Sequence, residues 1–128
     1  MPDFTHKNLK DVKDSAPDFG FGELGEARFA KDAVDAEQSG FSYHRTNPNT
    51  HRTFGHRHEQ AEEVYVVISG SGRMRLDDEI IEITELDTIR VAPEVWRGFS
   101  AGPDGLEVLA FGARHDGDGE IDPEWWVE

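Results

Sequence analysis

The sequence predicts an all-β domain, a sandwich or a barrel, and two observations support this. From Gly40 onward, short runs rich in β-branched and aromatic residues recur at roughly 8–12-residue spacing, and turns with Gly, Pro or Asp separate them. The chain has 128 residues, which is enough for one domain with a substantial hydrophobic core. No stretch approaches the roughly 18 apolar residues of a membrane span.

The predicted strands follow one another along the chain. "GFSYHR" alternates aromatic and polar residues, and "EVYVVIS" is an apolar run that ends at "GSG". "RMRLDD" alternates charged and apolar residues and leads through Asp77 and Asp78 into "EIIEIT". "DTIRVA" stops at Pro93, and the turn "AGPDG" precedes "LEVLAFG". Each boundary carries residues that favour turns over strands.

The two ends of the chain are less regular. "EARFAKDAVDAEQ" permits either a short helix or a strand around Glu26 to Ala30, so a short N-terminal helical turn stays open. We expect residues 1–37 to form a segment that packs on the barrel, residues 38–112 to form the barrel, and residues 113–128 to form a C-terminal tail. Trp125 and Trp126 are expected to fix this tail over an apolar patch, on this chain or on a partner subunit.

Composition narrows the classes of partner. The formal net charge is −14, with 27 acidic and 13 basic side chains, so phosphate backbones and anionic membranes are disfavoured. The absence of cysteine rules out disulfides and thiolate metal ligands. The N-terminus lacks the apolar segment of a signal peptide, and we therefore expect a cytoplasmic protein.

The stretch "GHRHEQAEEVYVVISG" contains the candidate metal ligands. Residues two apart in a strand face the same way, so His56 and His58 project together. Two imidazoles with a carboxylate suit Zn, Fe, Mn, Ni or Cu better than Ca or Mg. Glu62 shares their parity only in an unbroken strand, whereas a bulge at "EQA" turns Glu63 inward instead. The alternative is a solvated loop whose histidines bond to neighbouring carboxylates.

This stretch resembles the first motif of the cupin superfamily, G-x5-H-x-H-x3/4-E-x6-G. His56, His58, Glu63 and Gly70 fit the motif, whereas Thr50 stands where its leading glycine belongs. The resemblance extends from about Gln38 to Gly112 and implies a double-stranded β-helix, or jelly-roll barrel, with a pocket between its sheets. It also implies a homodimer. It is less specific for chemistry, because this fold hosts isomerases, epimerases, oxygenases, lyases, binding domains and storage proteins.

The second cupin motif, G-x5-P-x-G-x2-H-x3-N, is degraded in this chain. It corresponds to "ELDTIRVAPEVWRGFSAG". Leu86 replaces the first glycine of the motif, Ala92 the proline and Glu94 the second glycine. Arg97 occupies the place of the histidine that is the family's usual fourth ligand. Arginine stays protonated and cannot bind a metal.

Two interpretations of Arg97 stay open from the sequence. In the first, Arg97 points inward and pairs with Glu63, and the metal site is weakened or absent. In the second, Arg97 turns outward to pair with an acid such as Glu94, and the three motif ligands hold a metal with water or His51 completing the shell.

The resulting functional hypothesis is a small cupin that binds a small molecule, with a divalent transition metal (Fe, Mn, Zn or Ni) as its cofactor. Tyr65 and Phe99 share the inward parity of Glu63 and Arg97, so they line either a ligand pocket or the core. One alternative is a metal-dependent enzyme of the isomerase, epimerase or dioxygenase type. Another is a metal-free structural or ligand-binding dimer in which Arg97 replaces the fourth ligand.

Overall fold

A computed structural model describes residues 2–113 and 117–128; residues 114–116, part of the predicted tail, lie outside the described residues. Within the described ranges the chain forms two short 3-10 turns, Leu9–Asp11 and Ala16–Phe19, and eight strands. The strands are β1 (Gly25–Phe29), β2 (Phe41–Thr46), β3 (Gly55–His58), β4 (Glu63–Leu76), β5 (Glu79–Thr84), β6 (Thr88–Val91), β7 (Arg97–Phe111) and β8 (Gly119–Asp122). The all-β prediction is confirmed, and the ambiguous N-terminal stretch begins as a strand, β1.

The long strands β4 and β7 form the centre of the fold. They pair antiparallel along most of their lengths, and register shifts interrupt the pairing between Val67 and Ser69 and between Gly70 and Gly72. On one side of this interruption β7 also pairs with β2, and on the other side it also pairs with β3. Because bulges bend strands, β4 and β7 each contribute to two layers, as in a jelly roll.

The remaining strands extend these layers. β5 and β6 pair with opposite halves of β4, β1 pairs with β2, and β8 pairs with β3. Two of these strands, β1 and β8, lie outside residues 38–112, so hydrogen-bonded sheet continues on both sides of the barrel segment expected from the sequence. The division into three segments stays a prediction. The described residues include no helix long and apolar enough to cross a membrane.

The hydrophobic core lies between the layers. Its members are small or β-branched apolar residues with a few large ones: Tyr65, Val67, Met74, Ile83, Val91, Ala101, Leu106, Val108 and Ala110. Val67 and Met74 are completely buried. Burial of a side chain of this size contributes roughly 1.5–3 kcal/mol. The alternation along β4 places Glu63, Tyr65 and Val67 on the inner face, and this positions the candidate site next to the core.

The C-terminal tail is fixed on this chain. Trp126 is 2% exposed, and its backbone N–H donates to the Thr53 carbonyl over 2.7 Å. The Trp125 ring lies directly on Gly55, where a Cβ would approach the ring to 2.3 Å. Trp125 also stacks with Trp96, with ring centroids 6.2 Å apart. The tail therefore covers the start of β3, the strand that carries both motif histidines.

Gly70 is required where β4 bends. Its φ is +81°, and a Cβ at this position would lie 2.0 Å from the Gly105 carbonyl oxygen. We expect Gly70→Ala to lower the free energy of unfolding by about 2 kcal/mol, from left-handed strain and this backbone contact together. Denaturant unfolding measures the change.

Gly20→Ala is the matched control for this prediction. Gly20 has a similar φ of +80°, but nothing lies within 4 Å of its Cβ position. Its substitution isolates the conformational strain, about 1 kcal/mol. Equal losses in the two variants would contradict the proposed contribution of the Gly105 contact.

Candidate metal and ligand site

The site begins with the loop between β3 and β4. β3 ends at His58 and β4 begins at Glu63, so residues 59–62 interrupt the strand and reset its register. Asp118 holds this loop: its Oδ1 accepts from the backbone N–H groups of Glu59 (2.9 Å) and Gln60 (2.7 Å), and its Oδ2 accepts from that of Ala61 (3.0 Å). The loop brings Glu63 to the same side as His56 and His58, as the bulge at "EQA" predicts.

One carboxylate oxygen, Oε1 of Glu63, is the centre of the site. The Nε2 atoms of His58 and His56 lie 3.1 Å and 3.4 Å from it. Candidate ligand atoms of these three residues all lie within 4.8 Å of one another. Two ligands about 2.0–2.1 Å from a tetrahedral metal are about 3.4 Å apart. The observed spacing therefore suits metal ligation as well as hydrogen bonding.

Arg97 lies inside this site. Its side chain is 0% exposed, and Nη1 donates to Glu63 Oε1 over 2.7 Å. The other guanidinium nitrogens donate to backbone carbonyls, those of Ala92 (2.8 Å), Pro93 (3.2 Å) and Val95 (2.9 Å). These four bonds fix the guanidinium against Glu63, so the interpretation in which Arg97 turns outward toward Glu94 is wrong.

Tyr65 and Phe99 also lie at the site. The Tyr65 hydroxyl donates to Glu63 Oε1 over 2.6 Å, and the Tyr65 and Phe99 rings meet edge-to-face with centroids 5.3 Å apart. Tyr65 is 2% exposed and belongs to the hydrophobic core, against which Phe99 packs. The two aromatic residues therefore serve both the core and the wall of the site.

The surroundings set the charges of these groups. Burial raises the pKa of Glu63, but the bonds from His56, His58 and Tyr65 outweigh it and hold that pKa well below its usual range. Burial lowers the pKa of His56, which keeps its imidazole neutral at neutral pH. A deprotonated carboxylate and a neutral imidazole are the forms that bind a metal.

His58 has a carboxylate at each ring nitrogen. Nε2 faces Glu63, while Nδ1 is buried 3.3 Å from Asp118 Oδ2 without hydrogen-bond geometry to any described residue. A singly protonated imidazole donates to one of two carboxylates, and a doubly protonated imidazole donates to both. With a metal ion at Nε2, the ring would keep Nδ1–H for Asp118, the usual arrangement behind a metal-ligating histidine.

Two cavities adjoin the site. The larger is about 530 Å³, and both His58 and Glu63 line it. Its wall also carries Phe19, Phe29 and Phe41 together with Lys31. The smaller cavity is about 40 Å³ and is lined on the other side of the site by His56, Tyr65, Arg97 and Phe99, among others. The larger cavity has the volume of a small-molecule pocket.

His51, named from the sequence as an additional ligand, lies apart from this cluster. Its Nδ1 is 3.0 Å from Ser100 Oγ, and its Nε2 is 2.7 Å from the Trp126 carbonyl oxygen. Both ring nitrogens are therefore engaged, one with β7 and one with the C-terminal tail, and His51 is not among the residues whose ligand atoms converge.

Three polar residues near the site were not found from the sequence. Asp118 sits in "DGDGE", which looks like an ordinary polar turn, and Arg52 sits in a stretch with no strand pattern. His44 has no histidine or carboxylate partner at a motif spacing, yet it lines the small cavity, and burial lowers its pKa to about 4. These positions depend on contacts between distant segments, for which local sequence carries no signal.

The donor set fits a divalent transition metal in part. Two imidazoles and a carboxylate at suitable spacing fit such an ion. The buried Nδ1 of His58, which has no hydrogen-bond partner among the described residues, is compatible with a metal at Nε2. Arg97 does not fit, because it provides a positive charge where the fourth ligand is expected. The site thus offers three ligands and one opposing cation.

Comparisons with known proteins agree on the fold. A cupin protein from Bacteroides fragilis superposes with a TM-score of 0.71 at 22% identity, over 91% of this chain and 89% of that one. A variant of oxalate decarboxylase from Bacillus subtilis superposes with a TM-score of 0.73 at 19% identity; 94% of this chain matches 32% of that one. The chain therefore has the cupin fold.

Comparison by sequence alone finds a much shorter match. No protein-family model matches the chain. An uncharacterized protein from Methanocaldococcus jannaschii is 40% identical over 43 residues, which are 34% of this chain and 34% of that protein. The chain thus matches about a third of this curated relative's length.

Proposed function

We propose that this chain is a cupin-superfamily protein that binds a small molecule in its large cavity and a divalent transition metal, weakly, at the edge of that cavity. The observation that carries the proposal is the convergence of His56, His58 and Glu63 beside a cavity of about 530 Å³. His58 and Glu63 also line this cavity, so a ligand there reaches the same groups as the metal. The aromatic wall residues favour a ligand with an apolar part.

The metal would be Fe, Mn, Zn or Ni, as the imidazole and carboxylate donors suit these ions. His56 and His58 would ligate through Nε2 and Glu63 through Oε1, while Asp118 would orient His58 from behind. When bound, such a metal supplies Lewis acidity or redox chemistry. This is the basis on which an isomerase, epimerase or dioxygenase activity would rest.

A second candidate is a ligand-binding protein without a metal. The 2.7 Å contact between Arg97 and Glu63 favours it, because the guanidinium already supplies a cation to the carboxylate. In this version Glu63 and His58 form the polar floor of the large cavity, and Arg97 holds Glu63 from the buried side. The homodimer expected from the family resemblance and the cytoplasmic location expected from the sequence stay predictions. Light scattering after size exclusion tests whether the protein is a dimer.

Metal uptake by untagged protein separates the two candidates. We expect Zn²⁺ or Mn²⁺ to be retained in equilibrium dialysis, and His58→Ala to lower the affinity tenfold or more by removing a ligand. His6→Ala is the control, since His6 is exposed in the N-terminal segment. If the unmodified protein and His58→Ala take up metal equally or not at all, the metal site is wrong and the metal-free candidate stands.

A further inference from the structure

Arg52 is a buried cation with no counter-ion among the described residues. It is 7% exposed, and within the described ranges its guanidinium makes one hydrogen bond, from Nη2 to the Arg45 carbonyl oxygen over 3.0 Å. It also lies over the Phe54 ring at 5.5 Å from the centroid. Among the residues described, no carboxylate forms an ion pair with it, and its buried Nε has no hydrogen-bond partner.

This arrangement is energetically costly as it stands. A carbonyl and an aromatic ring stabilise a guanidinium, but neither neutralises its charge, and an unpaired buried charge is strongly disfavoured. Burial, with repulsion from Arg45, lowers the pKa of Arg52 to about 10, so the group is still protonated at neutral pH. The positive charge of Arg52 must therefore be balanced by something other than the described side chains.

The space for a counter-ion lies beside Arg52. The small cavity of about 40 Å³ is lined by Arg52 and Phe54 together with His44, Thr46, His56 and Tyr65. A second guanidinium, that of Arg97, also lines it, but this charge is already paired with Glu63. The burial of His44 and the nearby charge of Arg52 keep the His44 imidazole neutral. The cavity wall therefore carries a net charge of about one positive unit.

We propose that this cavity is an anion site in which Arg52 binds one small monovalent anion, a halide or a carboxylate of the size of formate. At roughly 10–15 Å³ of probe volume per water, the space admits about three waters or one such anion. A water would satisfy Nε but would leave the charge of Arg52 unbalanced. An anion would accept the hydrogen bond from Nε and also balance the charge. His56 lines this cavity and is also a proposed metal ligand, but Arg52, which would hold the anion, is not, so the anion site is testable without the metal.

Bromide is the direct probe for this site in the unmodified protein. We expect crystals soaked in sodium bromide to show an anomalous peak inside the cavity, in contact with the Arg52 guanidinium. Crystals soaked in sodium formate should show a planar anion in the same place. A cavity that contains only water in both soaks would overturn the proposal, whatever bromide binds at the surface.

Thermal unfolding tests the same site in solution. With EDTA present and ionic strength held constant by gluconate, which is too large for the cavity, formate or chloride should raise the Tm saturably. At ten times the dissociation constant the rise should be about 4 °C. Arg52→Met should abolish this response. Arg57→Met, at a partly exposed arginine paired with Glu120, should retain it.

The anion response of two variants distinguishes the anion site from the metal site and tests the role of Arg52. His58→Ala should keep the anion response, which separates failure of the anion site from failure of the metal site. An equal anion response in Arg52→Met and the unmodified protein would contradict the role of Arg52. If Arg52→Met does not fold, the bromide and formate soaks of the unmodified protein decide.

Discussion

Arg97→His is expected to raise the affinity for Zn²⁺ by about 100-fold or more. The guanidinium of Arg97 and the proposed metal share one partner, Glu63 Oε1, so a bound cation would lie within a few ångströms of it. Two unit charges 4 Å apart repel by about 4 kcal/mol at an effective dielectric of 20, and a dication doubles this. Removal of less than half of that repulsion accounts for about 100-fold in affinity.

The substituted histidine would also supply a ligand in place of a charge. β7 pairs with β3 so that Arg97 is the cross-strand neighbour of His56. An imidazole at position 97 would therefore lie close to the imidazoles of His56 and His58. Arg97→Met removes the charge without adding a ligand and should give an intermediate affinity. Calorimetric titration of Zn²⁺ into folded, metal-free protein measures the affinity of the unmodified protein and of both variants. If Arg97→His binds Zn²⁺ no better than the unmodified protein, Arg97 is not what weakens the site.

Glu63→Ala is expected to lower the free energy of unfolding by about 3–5 kcal/mol. The substitution leaves the guanidinium of Arg97 fully buried without its carboxylate, and loss of one partner of a buried ion pair costs this much. It also removes the acceptor of the Tyr65 hydroxyl. Denaturant unfolding, with the midpoint and slope fitted together, measures the loss.

Glu62→Ala is the matched control, one residue earlier in the chain. Glu62 also pairs with an arginine, Arg90, but at the surface, with both side chains more than half exposed. Exposed pairs contribute little, so this loss should stay below about 1 kcal/mol. The double substitution Glu63→Ala with Arg97→Met should recover part of the loss, because no unpaired charge remains. Equal losses in the two single variants would contradict the account of a buried ion pair.

Much of the fold could be predicted from the sequence because its signals are local. Turn residues delimit the strands, and the resemblance of His56, His58, Glu63 and Gly70 to the first cupin motif marks the β3–β4 segment. The register reset also follows from the sequence, since a polar "EQA" between strands favours a bulge. In the structure the alternation after Glu63 places Tyr65 and Val67 inside, as that reset requires.

The direction of Arg97 could not be predicted because it depends on Glu63, 34 residues away in the chain, together with three carbonyls of the turn that precedes Arg97. The same applies to Arg52 and Asp118: each is buried by segments far away in sequence, and neither lies in a recognisable pattern. For His51, proximity to the motif in sequence suggested a ligand. The tail residue Trp126 and Ser100 hold its ring instead.

The shared strands β4 and β7 have a consequence for the order of folding. Their pairing joins Val64 to Phe111 and Leu76 to Arg97, so segments that are distant in sequence must meet before either layer is complete. Such non-local pairing is slow compared with helix or hairpin formation. Glu63 begins β4 and Arg97 begins β7, so in the antiparallel ladder the two residues lie at opposite ends of the paired strands. Their ion pair therefore depends on the bend that brings the two ends of β4 and β7 together, and the site requires both layers to be in place.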